Sequence, residues 1–99
     1  IPRLVGLVEG INIKLYKCGR PREALRMLHA ARASGLSVMM GCILESSLGI
    51  APAAHLASLL DYADLAGAAL LAEDPFDGPG LVGAAIQVGD APGLGVNEA

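Results

Sequence analysis

The stretch INIKLYKCGR, residues 11–20, decides the fold class of this chain. Residues 11–16 alternate isoleucine or leucine with asparagine, lysine or tyrosine, which is the period-two pattern of a β-strand with two different faces. Lys14 lies on the polar face, and burying an ammonium group without a partner is costly. Lys14 must therefore reach water, meet an anionic group, or belong to a site that uses its proton.

The residues that follow this strand predict an amphipathic helix. Gly19 marks a turn, and Pro21 suits the first helical position because the N–H that proline lacks would be unpaired there anyway. Ala24 and Leu28 recur at helical spacing, and Gly35 is a plausible left-handed terminator. We therefore expect a helix between Pro21 and Gly35.

A second strand and helix repeat this order, and a third strand follows. Residues 36–44 are almost continuously apolar, which is typical of a strand covered on both faces in a parallel sheet. Ser46 or Ser47 can cap a second helix, and residues 62–65 predict a short third strand. Alternating strands and helices favour parallel strands joined by helical crossovers, which is an α/β fold.

Composition narrows the classes of function. The 99 residues, about one small domain, are 54% hydrophobic but only 3% aromatic, so we expect an aliphatic core of helices packed on a sheet. A net charge of −3 with scattered basic residues argues against nucleic acid as a partner. Apolar runs end before the roughly 20 residues of a membrane span, so we expect a soluble protein with no membrane partner.

The cysteines and the first residue bear on the origin of the chain. Cys18 and Cys42 do not make a disulfide framework, which favours reduced thiols and a cytoplasmic location. The chain starts at Ile1 rather than at a methionine, so we expect a processed product or a piece of a longer protein.

Three stretches together carry a resemblance to a known family: INIKLYKCG at 11–19, VMMGCILESSLGIAPAAHLASLLDYADLAG at 38–67 and LLAEDPFDG at 70–78. Their order and spacing are similar to the last third of a dipeptide epimerase of the L-Ala-D/L-Glu type, in the muconate-lactonizing subgroup of the enolase superfamily. The resemblance implies the C-terminal part of a modified TIM (β/α) barrel. Residues 1–80 would supply about strands six to eight, and residues 81–99 a tail returning toward the capping domain.

The resemblance also implies a role for Lys14. It matches the family lysine at the end of the sixth strand, one of two lysines that exchange protons with opposite faces of the substrate α-carbon. Mg²⁺ would stabilise the enediolate, and its ligands are expected on strands three to five, upstream of these residues. The implied substrate is a small dipeptide. The resemblance also allows a homo-oligomer for the complete protein.

Three further residues are candidates for substrate binding. Asp64 matches the first position of an Asp-x-Asp pair that holds the substrate ammonium in the family, but Ala66 stands at the second position. Cys42 and Glu45 lie in the GCILES segment at the end of the second strand, where ligands gather in α/β proteins. Cys42 could equally be a small buried apolar residue, Glu45 could pair with an arginine, and Asp64 could be a loop carboxylate.

The expected activity of the complete protein is that of an isomerase, although this chain alone is expected to be inactive. Within the superfamily, a cycloisomerase or an N-acylamino acid racemase is an alternative, and Ala66 makes it more credible. The alternative from another class is a structural remnant without catalytic activity.

Overall fold

Three parallel strands form the main sheet in the computed structural model, which describes residues 1–82 and 85–99. The strands are β1 (Gly10–Lys14), β2 (Ser37–Gly41) and β3 (Tyr62–Asp64), and they lie side by side in the order β1-β2-β3. Both pairings are parallel. The predicted α/β alternation is confirmed.

Helices connect these strands, and short strands occupy the later part of the chain. The α-helices are α1 (Leu15–Cys18), α2 (Pro21–Ala33) and α3 (Ser47–His55), and short 3₁₀ helices span Pro2–Leu4, Ala57–Leu59 and Ala66–Leu70. The short strands are β4 (Phe76–Asp77), β5 (Gly80–Val82), β6 (Ala85–Gln87) and β7 (Asn97–Glu98), which pair antiparallel as β4 with β7 and β5 with β6.

The ends of α2 and α3 follow from local chemistry. Helix α2 begins at Pro21 as predicted, and Gly35 takes a left-handed φ of +76° just beyond its end. Of the two serines predicted as possible caps, Ser46 is the N-cap of α3. Its hydroxyl accepts a hydrogen bond from the Gly49 N–H at 3.3 Å.

Two strands end earlier than the apolar pattern predicts. The alternation through residue 16 is wrong as a strand beyond Lys14, because residues 15–18 turn into α1, which closes on Gly19 with φ +95°. The strand predicted over 36–44 stops at Gly41, and the next backbone N–H groups leave the ladder: the Ile43 N–H donates to the Glu45 carboxylate at 3.2 Å. The third strand lies within the predicted segment.

The chain divides into two compact units, residues 1–41 with 57–64 and residues 42–56 with 65–99. In the first unit, α2 packs against β1 and β2 and buries Ile13, Leu28, Val38 and Met40. In the second unit, α3 buries a small aliphatic face that includes Ile50. Among the residues that the structure describes, every helix is too short or too polar to cross a lipid bilayer.

Candidate active site

Three strand ends meet at one edge of the main sheet. Lys14 is the register partner of Gly41, and Gly41 is the register partner of Asp64. Partnered residues of parallel strands point to the same face, so Lys14 and Asp64 share a face with the side-chain-free Gly41 between them. Their backbones are two strand spacings apart, or about 10 Å.

The same alternation that buries one face of β1 places Lys14 on the other. Ile13 is only 1% exposed and packs on the helix side, so Asn12 and Lys14 point away from α2. Lys14 is half-buried, and its side chain leans toward β2: a Cβ built on Gly41 would lie 3.5 Å from Lys14 Cε. The lysine arm therefore crosses the gap above Gly41.

Asp64 gives this sheet face a negative charge opposite the lysine. Its side chain is exposed at the last position of β3, and Tyr62, two residues earlier on the same face, is also exposed. An amine and a carboxylate on either side of an open strand position can bind the oppositely charged ends of one small molecule. Lys14 thus lies on a charged sheet face, at a strand end, rather than in an apolar core.

Cys42 and Glu45 have local partners in the second compact unit. Cys42 is half-buried, and its Sγ accepts a hydrogen bond from the Gly67 N–H at 3.3 Å. Glu45 accepts the Ile43 N–H, and its carboxylate lies against Gly49 in the first turn of α3. Glu45 forms no ion pair within residues 1–82 and 85–99. Both side chains hold the loop after β2, and a role in substrate binding stays a prediction.

Ala66, which the resemblance matches to the second aspartate of the Asp-x-Asp pair, lies in apolar surroundings. It begins the 3₁₀ helix Ala66–Leu70 and lines a cavity of about 120 Å³ together with Leu65, Ala68 and Ile86. Ser47 also lines the cavity, but its hydroxyl donates to the Asp74 carboxylate at 2.5 Å. This cavity suits a small apolar group better than a charged one.

Two other carboxylates have a lowered pKa and serve the architecture. The Val38 backbone N–H, at 2.7 Å, and then the Arg32 guanidinium hold the pKa of Asp61 below its ordinary value. The Ser47 hydroxyl lowers the pKa of Asp74, with smaller contributions from the backbone N–H groups of Phe76 and Ser47. Both carboxylates connect one element to another.

Metal-binding side chains are scattered in the part of the chain that the structure describes. No group of three histidine, cysteine, aspartate or glutamate side chains lies close enough together to hold a metal ion among residues 1–82 and 85–99.

Sequence reasoning missed two features of the site, Asn12 beside Lys14 and the open position at Gly41. A Cβ at Gly41 would also lie 3.3 Å from Asn12 Oδ1 and 3.4 Å from its Nδ2. A glycine inside an apolar strand is the signal that could have found them, because such a glycine often marks a close approach of other groups.

Comparison with known proteins places the chain in a family. Residues 5–98 match the family described as "Enolase C-terminal domain-like". The chain is 43% identical over 96 residues to an L-Ala-D/L-Glu epimerase of Bacteroides thetaiotaomicron, covering 97% of this chain and 25% of that protein. It is 40% identical over 74 residues to an N-acetyl-D-glutamate racemase of a Pseudoalteromonas species, covering 75% of this chain and 24% of the racemase.

A solved structure has the same fold over nearly the whole chain. The dipeptide epimerase of Methylococcus capsulatus, complexed with a Mg ion, superposes with a TM-score of 0.88 at 35% identity, covering 98% of this chain and 30% of that one. This chain thus spans about a quarter to a third of the length of the proteins it matches.

Proposed function

Because this chain belongs to the enolase C-terminal domain-like family, we propose that the complete protein is a dipeptide epimerase. In this proposal Lys14 exchanges a proton with one face of the α-carbon beside the substrate carboxylate. A second lysine, on another strand of the complete protein, serves the opposite face. The reaction is a 1,1-proton transfer: one C–H bond breaks, its electron pair stays on the substrate as an enediolate, and a new C–H bond forms on the other face.

The observation that carries this proposal is the register of the sheet edge. Lys14, Gly41 and Asp64 are aligned across three parallel strands, so an amine and a carboxylate flank an open position. Lys14 supplies the proton-transfer group, and Asp64 accepts a hydrogen bond from the ammonium of the N-terminal substrate residue. The named relatives, epimerases and a racemase acting on amino acid derivatives, support this assignment.

Mg²⁺ is part of the proposal for the complete protein, although the described residues of this chain do not hold it. When bound, a divalent ion would supply charge compensation for the substrate carboxylate as its α-proton leaves. The Mg ion in the Methylococcus capsulatus structure supports the same expectation. The ligands would lie outside this chain.

Replacing Lys14 by alanine tests the proposal. In the complete protein, Lys14→Ala should lower solvent deuterium incorporation into the substrate by about 10²- to 10⁴-fold, the usual contribution of a general acid or base. ¹H NMR in D₂O, with L-Ala-L-Glu and L-Ala-D-Glu as separate probes, measures the exchange. Because one lysine serves each face, one of the two epimers should lose exchange more severely than the other.

Lys17→Ala is the matched control, since Lys17 is exposed in α1 and lies near the Tyr16 ring. We expect this control to exchange both epimers within a few-fold of the native rate, and circular dichroism should show both variants folded. A folded Lys14→Ala protein that exchanges both epimers at the native rate contradicts the epimerase proposal.

An N-acylamino acid racemase is the second candidate, and the surroundings of Ala66 favour it. Alanine replaces the second carboxylate of the ammonium clamp, and the neighbouring cavity of about 120 Å³ is mostly apolar. An N-acyl substrate has no ammonium to pair, so it loses nothing when one of the two carboxylates is absent. In this alternative Lys14 keeps its role, and the substrate carries a blocked amine.

A further inference from the structure

We infer that Gly41 is a positioning residue for Lys14, an inference that rests on the proposed proton transfer. The absence of a side chain at position 41 provides the space that the lysine arm occupies as it crosses β2 toward Asp64. Gly41 would thereby set the reach of the Lys14 amine without touching the reacting atoms itself.

The geometry around Gly41 supports this role. Lys14 and Gly41 are register partners, and the position of a Cβ on Gly41 lies 3.5 Å from Lys14 Cε. A methyl group at that distance makes ordinary van der Waals contact with the lysine, so alanine is nearly accommodated. Any atom beyond the Cβ would enter the space that the lysine arm and the Asn12 amide now fill.

The backbone gives no separate reason for glycine at this position. The glycines with positive φ are Gly6, Gly19, Gly35, Gly93 and Gly95, and Gly41 is not one of them. Gly41 is a buried strand residue in regular parallel pairing, where glycine is unfavourable because it adds flexibility and no packing. A β-branched residue would suit the strand better, so the advantage of glycine lies in the space above it.

The Asn12 side chain lies beside the Lys14 side chain over Gly41. Its side chain precedes Lys14 by two residues on the same face, and its amide atoms are 3.3 and 3.4 Å from the Cβ position of Gly41. Both side chains of β1 therefore lean over β2 at the same place. A side chain at position 41 would push against the Asn12 amide and the Lys14 methylene groups together.

The test compares Gly41→Val with Gly41→Ala and Ser37→Val in the complete protein. Ser37 lies on the same face of the same strand, four residues before Gly41, so Ser37→Val places the same valine side chain on β2 away from Lys14. Deuterium exchange into L-Ala-L-Glu and L-Ala-D-Glu is measured for each variant, with kcat and KM determined separately. The epimer that depends on Lys14 is identified from the Lys14→Ala variant.

Gly41→Val should lower exchange into the Lys14-dependent epimer at least 100-fold through kcat, and change the other epimer less than tenfold. Gly41→Ala should stay within about threefold of the native protein, as should Ser37→Val. If Gly41→Val does not fold, Gly41→Ser, which adds one atom beyond the Cβ, should show a tenfold loss with the same epimer preference.

The inference is overturned if Gly41→Val exchanges both epimers at the native rate. It is also overturned if Gly41→Val slows the exchange of both epimers equally. If Gly41→Val does not fold, the inference is overturned when Gly41→Ser exchanges both epimers at the native rate. These outcomes are separate from failure of the proposed function, which is decided by Lys14→Ala alone. A Lys14→Ala protein without exchange and a Gly41→Val protein with native exchange would reject only the role of Gly41.

Discussion

Ala66 sets the expected selectivity of the protein for the amino group of its substrate. Under the proposed function, Asp64 alone binds the substrate ammonium, which therefore makes one charge-assisted hydrogen bond fewer than with an Asp-x-Asp pair, a difference of about 1.5 to 3 kcal/mol. Ala66→Asp should therefore raise kcat/KM for L-Ala-L-Glu relative to N-acetyl-L-glutamate by about 10- to 100-fold. The ratio of the two kcat/KM values, measured for both proteins, checks this expectation.

Ala72→Asp is the charge-matched control, because Ala72 is exposed, six residues later, and lies outside the lining of this cavity. It should leave the substrate ratio close to that of the native protein. The expectation fails if the native protein already rejects N-acetyl-L-glutamate strongly and Ala66→Asp leaves the ratio unchanged. Asp64 would then be a strand-end carboxylate without a role in substrate binding, and the amine would be recognised elsewhere.

Close backbone contact ties the loop after β2 to the 3₁₀ helix Ala66–Leu70. The Gly67 N–H donates to Cys42 Sγ, and a Cβ on Gly67 would overlap the carbonyl oxygen of Ile43. Gly67→Ala should therefore destabilise the complete protein by about 1 to 3 kcal/mol or more, as overpacking does. Urea unfolding followed by circular dichroism measures the change in the free energy of unfolding.

Gly89→Ala is the control for this substitution, since a Cβ on Gly89 meets nothing within 4 Å. We expect it to change stability by less than about 0.5 kcal/mol. Equal stability of the Gly67→Ala and native proteins would show that the contact with Ile43 relaxes without cost.

Asp74 links the start of α3 to the residues before β4 in a pH-dependent way. Its carboxylate accepts the Ser47 hydroxyl and the Ser47 and Phe76 N–H groups, and the hydroxyl bond is the main cause of its lowered pKa. A folded-state pKa below the unfolded value contributes stability that is present above about pH 4 and is lost as the pH falls through the folded value.

Asp74→Asn should therefore lower the thermal midpoint at pH 7 and weaken its dependence on pH below 4. Thermal melts of the complete protein between pH 7 and pH 2.5 measure both effects, with Asp90→Asn, in the exposed tail, as the charge-matched control. A midpoint that falls with acid equally steeply in the native and Asp74→Asn proteins would exclude this link as a source of acid sensitivity.

Local chemistry explains why the sequence predicts helix ends better than strand ends here. Pro21 and Gly35 act through their own backbone, so both ends of α2 were predictable. Strand β1 ends because residues 15–18 close a helical turn on Gly19, and β2 ends where a backbone N–H turns to Glu45. Side-chain contacts of this kind are not encoded in apolar alternation.

In the candidate site, too, local sequence pattern predicts the position of a residue in its strand but does not predict the register between strands. Lys14 and Asp64 were expected at strand ends, and the structure places both there. The glycine in β2 signals a close approach of other groups, but the sequence could not predict that Lys14 and Asp64 flank it, because this depends on the register of three strands that are distant in sequence. Their roles in catalysis and binding remain predictions that the variants above decide.

The distribution of apolar surface bears on the behaviour of the entire chain. Leu7 and Leu70 are each 76% exposed, Tyr62 is 67% exposed and Leu44 is 61% exposed. Among the strands that the structure describes, β1 and β3 each have a neighbour on one side only. Open strand edges beside apolar surface favour association with other chains.

The 99 residues produced on their own should therefore associate rather than remain a monomer. We expect binding of a hydrophobic dye, oligomers in size-exclusion chromatography and a broad thermal transition, because open edges and exposed apolar side chains find partners in other copies. Tyr62→Lys, which places a charge on the exposed edge strand β3, should increase the monomer fraction. Ala33→Lys, at an exposed position at the end of α2 rather than on a strand edge, separates this effect from net charge alone. If the native 99-residue chain runs as a monomer and melts in one sharp transition, its open strand edges do not cause association.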